Sequence, residues 1–363
     1  MKVTVNQKNL KKALSIVEKV IAKNISLPIL NNLLLKTENG RLKISATNLE
    51  LGINYLIGAK IEEVGEIAVP AKIFSDFVNG LADDKIVLST KNKILSINSV
   101  NYKTQILGFD TKDFPIIPKL KDKPFCIIPS RSVKNSLLSV LDATSISESR
   151  PELAGVFVNF EGKNIIFAAT DSFRLSEKTV EFKSTKQLSF ILPRNTVVEL
   201  IRITGELEGE INIYIGDNQI FFSNDEFEMV SRLVDGNYPD YRKVIPEKFV
   251  SKALIKKDDL EKNIRLAGIF SSNISDIKIY CVDNKLKITG KNSEKGEIEV
   301  EIDAVLKNEP FEVSLNYHYL LDGLKTITTE RVIIEFTGTG SPLVLKPADD
   351  KKDTIYLIMP FRN

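Results

Sequence analysis

The chain has 363 residues, 43% of them hydrophobic and 27% charged, with 50 basic and 48 acidic side chains and a net charge of +2. That is the composition of a globular protein of two or three domains. No run approaches the ~18 consecutive apolar residues of a membrane-spanning helix, and near-balanced charge means that any hold on nucleic acid is loose.

The chain opens on a short strand, Val3-Thr4-Val5, then polar Asn6. Leu10, Ala13, Leu14, Val17, Val20 and Ile21 follow at helical spacing. The same pattern returns 123 positions on as Cys126, Ile128, Val133, Leu137 and Val140. It returns 250 positions on as Ala253, Ile255, Leu260, Ile264 and Ala267. Asn6, Ser130 and Asp258 stand where helix N-caps are favoured. Next come strands after turns, Leu42 to Thr47 after Asn39-Gly40, Ile165 to Thr170 after Glu161-Gly162, and Leu286 to Lys291 after Asp283-Asn284. The strands Ile67 to Pro70, Ile191 to Pro193 and Phe311 to Ser314 each run into a second helix, near Ala71 to Leu81, Arg194 to Arg202 and Asn316 to Lys325. Strands such as Lys85 to Ser89, Glu210 to Ile215 and Arg331 to Phe336 close each unit. The reading is three diverged copies of one α+β unit of about 120 residues, each with two helices and about eight strands. Lys/Pro-rich breaks divide them as 1–121, 122–248 and 249–363.

Motifs for catalysis are sparse. His318 is the one histidine and lies in Tyr317-His318-Tyr319 at a helix start, which reads as packing or surface. Gly290-Lys291-Asn292-Ser293 lacks the first glycine of a phosphate loop, since Lys285 stands there. The pairs Asp83-Asp84, Asp258-Asp259 and Asp349-Asp350 sit at turns or helix starts beside lysines and read as solvated. Cys126 and Cys281 have no metal-type spacing and read as reduced, buried thiols. No apolar segment follows Lys2, so no signal peptide is expected and the cytoplasm is the expected location. No cofactor or metal is expected. The six helical stretches together carry six more basic than acidic residues, against +2 for the whole chain, so the rest is net acidic. Either the helices present a solvated face, or they line one surface that faces a polyanion.

Several segments carry a family resemblance: Leu27-Pro28-Ile29-Leu30-Asn31-Asn32, Ala46-Thr47-Asn48-Leu49-Glu50, Asp113-Phe114-Pro115, Ala169-Thr170-Asp171-Ser172-Phe173-Arg174-Leu175, the run Leu233 to Tyr241, and the ending Met359-Pro360-Phe361-Arg362. They span the chain in order, and with them it resembles the bacterial sliding clamps, the beta subunit of DNA polymerase III. The resemblance implies three clamp domains, each with two helices on antiparallel sheets, and a ring formed as a head-to-tail homodimer. That ring would encircle duplex DNA without sequence preference. It would have no active site, and would act as a processivity factor that tethers the replicative polymerase subunit, is opened by a clamp-loader ATPase and serves other clamp-binding proteins.

By the same resemblance a partner-peptide pocket falls on Thr170, Ser172, Phe173, Arg174 and Leu175, on Pro239, Lys243 and Val244, on Asn316 and Tyr319, and on Leu357, Ile358, Met359, Pro360 and Arg362. Read without it, these residues are ordinary interdomain packing. DNA contacts fall on Lys23, Asn24, Ser149 and Arg150. For the dimer interface, the adjacent apolar pair Ile269 and Phe270 is expected to pack on the partner's strand Lys103, Thr104, Gln105, Ile106, Leu107. Three features depart from the family pattern: Asn24 stands where a basic residue is common, Phe173 where His or Tyr is, and Phe361 and Asn363 alter the ending. The competing classes are a metal-dependent nuclease using the acidic pairs and a repeat scaffold that never meets DNA.

Overall fold

The computed structural model describes residues 1–21, 27–119, 123–147, 149–182, 187–349, 351 and 353–361. The first copy runs β1 (Lys2–Asn6), α1 (Gln7–Val17), β2 (Asn32–Glu38), β3 (Arg41–Thr47), β4 (Leu51–Glu63), β5 (Glu66–Pro70), α2 (Ala71–Gly80), β6 (Lys85–Lys91), β7 (Ile94–Asn98), β8 (Lys103–Leu107). The second runs β9 (Cys126–Pro129), α3 (Ser130–Leu141), β10 (Gly155–Glu161), β11 (Asn164–Thr170), β12 (Arg174–Glu181), β13 (Leu188–Pro193), α4 (Arg194–Gly205), β14 (Glu210–Ile215), β15 (Gln219–Ser223), β16 (Phe227–Arg232). The third runs β17 (Ser251–Lys256), α5 (Lys257–Ile269), β18 (Asp276–Val282), β19 (Lys285–Asn292), β20 (Gly296–Asn308), β21 (Phe311–Asn316), α6 (Tyr317–Thr326), β22 (Arg331–Phe336), β23 (Leu343–Pro347), β24 (Thr354–Ile358). The order of elements is the same three times, as the repeat requires.

By contacts the chain forms two compact units, Met1–Val133 with Val198–Leu233, and Lys134–Val197 with Val234–Asn363. In the first, the strands run β8-β7-β6-β1-β4-β16-β15-β14-β9, with β3 on β4, β2 on β3 and β5 on β2. In the second they run β13-β10-β11-β12-β24-β23-β22-β17-β20-β19-β18-β21. All pairings are antiparallel, and each unit contains one joint between copies. Leu51 to Tyr55 of β4 pair with Phe227 to Ser231 of β16, and Arg174 to Lys178 of β12 pair with Thr354 to Ile358 of β24. The two joints have the same register, offset by 123 on one strand and 127 on the other.

Local chemistry explains the elements. Leu10, Ala13, Leu14, Ile16 and Val17 of α1 are buried on one face, and each large apolar side chain taken from water contributes about 1.5–3 kcal/mol. The Asn6 side chain caps the helix by accepting from the amides of Lys8 and Asn9. The helix ends at Val17 and gives way to a 3₁₀ turn, Glu18–Val20, so Ile21 falls beyond it. The other two expected caps differ. Ser130 is the first helical residue, and its hydroxyl donates to the Leu207 carbonyl at 3.1 Å. In α5 the cap position is Lys256, and Asp258 lies in the first turn, where it still favours the positive end of the helix. Tight hairpins follow from residues that tolerate positive φ: Asn39 and Gly40 in the first copy, Asp283 and Asn284 in the third. After the last strand of each copy the chain covers an open edge: the Phe109 amide donates to Ala68, Val234 to Ile191 and Phe361 to Ser314, at 2.8, 3.0 and 3.0 Å.

Cys126 and Cys281 are buried and free. Burial pushes their thiols up to about 12 and about 11, as inert core thiols should be. Among the described residues no helix is long and apolar enough to cross a membrane, and no group of three or more His, Cys, Asp or Glu could hold a metal ion.

Close packing makes a testable distinction between glycines. A Cβ on Gly290 would lie 2.3 Å from the carbonyl oxygen of Ala267, whereas one on Gly58 would meet nothing within 4 Å. Gly290→Ala should force α5 off β19 and cost about 1–3 kcal/mol. Gly58→Ala should be neutral or slightly stabilising. Thermal melts of the two variants check this.

Candidate functional site

The turn from β11 to β12 is held by side-chain bonds to its backbone and borders a cavity. Asp171 accepts the amides of Phe173 and Arg174 on Oδ1, at 2.9 and 3.0 Å. The Thr170 hydroxyl donates to the Arg174 carbonyl at 2.6 Å and accepts from the Ser172 amide at 3.1 Å. Those four bonds hold Ser172 at φ +77°, a conformation costly for a residue with a side chain. The first copy builds the same turn. Thr47 bonds the Leu51 carbonyl and the Leu49 amide, Asn48 takes the amides of Glu50 and Leu51, and Leu49 has φ +77°. In the third copy Asn292 takes the amides of Glu294 and Lys295, but Lys291 replaces the threonine.

Around the second-copy turn lies a cavity of about 300 Å³ lined by Arg150, Leu153, Thr170, Ser172, Arg174, Leu175, Pro239, Asp240, Tyr241, Val244, Leu357 and Met359. Its floor is a small core of Ala168, Leu175, Tyr241, Val344 and Leu357. One wall is the segment after Tyr238, pinned by polar contacts. The Thr170 amide donates to the Tyr238 hydroxyl at 3.0 Å, the Tyr241 hydroxyl donates to Glu177 at 2.6 Å, and Tyr238 stacks on Phe157 at 4.9 Å. Burial raises the pKa of both phenols, and Glu177 raises that of Tyr241 further. Both therefore stay neutral donors or acceptors well past neutral pH. The tail closes the opposite wall: pairing of β24 with β12 brings Met359 to the turn, where its amide donates to the Phe173 carbonyl at 2.8 Å. The lining is mostly apolar with a few fixed polar groups, which suits a short peptide or small ligand.

Family models for the DNA polymerase III beta subunit match residues 1–118 as its N-terminal domain, 127–240 as its central domain and 242–362 as its C-terminal domain. The chain belongs to the DNA polymerase III beta subunit family. It is 27% identical over 357 residues to the beta sliding clamp of Staphylococcus aureus, covering 95% of this chain and 94% of the relative. The crystal structure of the Thermotoga maritima beta subunit matches with 26% identity and a TM-score of 0.94, covering 100% of this chain and 99% of the other. A Pseudomonas aeruginosa sliding clamp bound to griselimycin matches with 27% identity and a TM-score of 0.95, covering both chains fully. The fold is three clamp domains of antiparallel sheet and paired helices. This sliding-clamp chain is a non-catalytic processivity factor of DNA polymerase III, and the nuclease and scaffold alternatives fall with that membership.

Of the pocket residues expected from sequence, the clamp brings Thr170, Ser172, Arg174, Leu175, Pro239, Val244, Leu357 and Met359 into one lining. Phe173 stands beside it, 61% exposed. Tyr319 lies under Arg174, with the guanidinium 4.5 Å from its ring centroid. Lys243 is exposed and pairs with Asp240 at 3.0 Å. Asn316 instead caps α6 by accepting from the His318 amide. Ile358 is fully buried, and Pro360 is half-buried and outside the lining. Arg362 lies outside the described residues, as do Lys23 and Asn24. Arg150, expected at DNA, lines the cavity, while Ser149 bonds the Ser147 hydroxyl at 2.8 Å in the adjoining loop. Sequence reasoning missed Leu153, Asp240 and Tyr241. A signal existed for Leu153, which is the repeat counterpart of buried Leu30.

The turn itself can be tested by symmetry. Thr170→Val keeps the side-chain shape and removes both hydroxyl bonds, at an expected cost of about 1–3 kcal/mol. Thr47→Val in the first copy should cost about the same. Calorimetric melts should show a drop of a few degrees in each. An unchanged melt for Thr170→Val would mean that Asp171 alone holds the turn.

Proposed function

We propose that two copies of this chain close head to tail into a ring around duplex DNA, and that the cavity beside Arg174 receives peptide segments of the replicative polymerase subunit, the clamp-loader ATPase and other clamp-binding proteins. Each copy would contribute three domains, 1–121, 122–248 and 249–363, and the protein would work in the cytoplasm.

The observation that carries the ring is a pair of strand edges. Among the described residues β8 pairs only with β7, and Gly296 to Asp303 of β20 pair only with β19. In the two joints inside the chain, the strands equivalent to these are paired with each other. Transferring that register by the repeat offsets sets Lys103 opposite Glu299, Thr104 opposite Ile298, Gln105 opposite Glu297 and Ile106 opposite Gly296. The pairing matches faces and charges. Lys103 and Glu299 are both exposed, Thr104 and Ile298 both partly buried. Phe270 lies next to this edge, its ring 3.9 Å from the Cβ position of Gly296, and the adjacent Ile269 is an exposed apolar side chain free to join the same contact. A head-to-tail contact either closes or grows into a filament. With three domains per chain, closure by two copies completes a six-domain ring.

Inside such a ring the helices would face DNA. α1, α3 and α4 carry the positive excess, and α2, α5 and α6 are neutral. Lys23, Asn24 and Ser149 remain the nominated contacts, while Arg150 is better used at the cavity. A protein held by 6–10 phosphate contacts loses roughly 10³–10⁵ in affinity between ~50 and ~200 mM salt. A ring held by topology does not. Loaded onto nicked circular DNA by its loader, the protein should survive a high-salt wash, and a single cut in the circle should release it. Blocking both ends should restore retention. Release at the same rate from circles and linear DNA would replace the topological reading with simple electrostatic binding.

A further inference from the structure

Arg174 is the one strongly charged group built into the cavity wall from the β12 side, and its side chain is only 10% exposed. Its Nε donates to Asp171 Oδ2 at 3.0 Å, and its Nη1 donates to Asp322 Oδ2 at 2.5 Å. Tyr319 covers the guanidinium at 4.5 Å. Two carboxylates, one stacked ring and the buried Tyr356 hydroxyl nearby leave it little rotational freedom. Asp171 is already committed, because its other oxygen holds the turn. Asp322 has no role in that turn. It sits on α6, 148 positions away, with a side chain 20% exposed, and its other oxygen accepts from Lys325 Nζ at 2.6 Å. Lys325 in turn reaches Asp142 at the end of α3, at 3.3 Å.

We propose that Asp322 is a positioning residue for partner binding: by fixing Nη1 of Arg174 it holds the arginine as a rigid wall of the cavity. The proposal rests on the peptide-pocket reading above. Asp322 does not line the cavity, so it acts on a ligand only through Arg174. Without its carboxylate the guanidinium keeps the Asp171 bond and the Tyr319 and Tyr356 contacts but loses the hold on Nη1, and any bound peptide must order that end again. Lys325 anchors Asp322 from the other side, so the contact is held between two cations rather than resting on one flexible pair.

The test is fluorescence anisotropy with a labelled synthetic peptide carrying the clamp-binding segment of the cognate polymerase, on the full-length protein. Asp322→Asn should weaken binding about tenfold, and Asp322→Glu should recover part of that. Arg174→Ala should weaken it at least as much. The double variant Arg174→Ala with Asp322→Asn should bind no worse than Arg174→Ala alone, a non-additivity that a merely structural role would not produce. All variants should melt within a few degrees of the parent. Wild-type affinity in Asp322→Asn with loss in Arg174→Ala overturns the proposal and leaves the pocket reading standing. Additive losses also overturn it, because Asp322 would then act by another route. Unchanged binding in Arg174→Ala removes the pocket reading itself.

Discussion

An unpaired strand edge is a row of backbone donors and acceptors that must find partners or be covered, and the architecture of this chain follows from how its edges are settled. The long strand of one copy takes the last hairpin strand of the next: β4 with β16, β12 with β24. The same register recurs because the strands come from one repeated unit, and a slip by one residue would turn every buried side chain outward. After the last strand of each copy the chain bends across a further edge at Phe109, Val234 and Phe361. Pairing between copies leaves β8 and the first half of β20 as the remaining open edges of this kind. The head-to-tail assembly proposed above would be the third instance of one contact.

The cavity is a by-product of the second joint. Pairing β24 with β12 delivers the end of the chain to the turn at Thr170–Arg174, and the segment after Tyr238 walls the other side. The first joint has the same turn, with the Arg232 amide on the Glu50 carbonyl where Met359 bonds Phe173. Yet its chemistry differs. Gly52 stands where the second copy has Leu175, and Ile117, two residues past Pro115 as Tyr241 is past Pro239, packs 3.0 Å from the Cβ position of Gly52 beside Val230. In the first joint Ile117 thus packs directly over a glycine, where the second joint has Tyr241 packed with Leu175. Duplicated backbone with diverged side chains leaves a peptide-sized opening beside the turn of the second joint.

The repeat was legible because backbone demands recur: alternating apolar residues for half-buried strands, turn residues such as Asn39-Gly40 and Asp283-Asn284 before the next strand, and apolar positions at helical spacing after the first. The site was less so. Leu, Val, Met and Pro mark an ordinary core as readily as a socket, and only the family resemblance separated the two readings for Leu357 or Val244. Asp322 reads as a solvated helix residue because its partner Arg174 is 148 positions distant. Arg150 reads from sequence only as a loop cation, and its place beside Leu153 and Thr170 in the cavity lining comes from the fold. The helix cap at Asp258 fails for a similar reason. Asp is favoured both at the cap and in the first turn, and the sequence pattern does not separate positions two residues apart.

Amide hydrogen exchange on the assembled protein tests the shared-edge account most directly. If β8 and β20 meet as β16 meets β4, the outward amides of residues 103–106 and 296–299 exchange as slowly as those of residues 227–231 and 354–358, and they lose that protection on dilution to the monomer. Fast exchange at both edges in the assembled protein, with the internal joints protected, would contradict it.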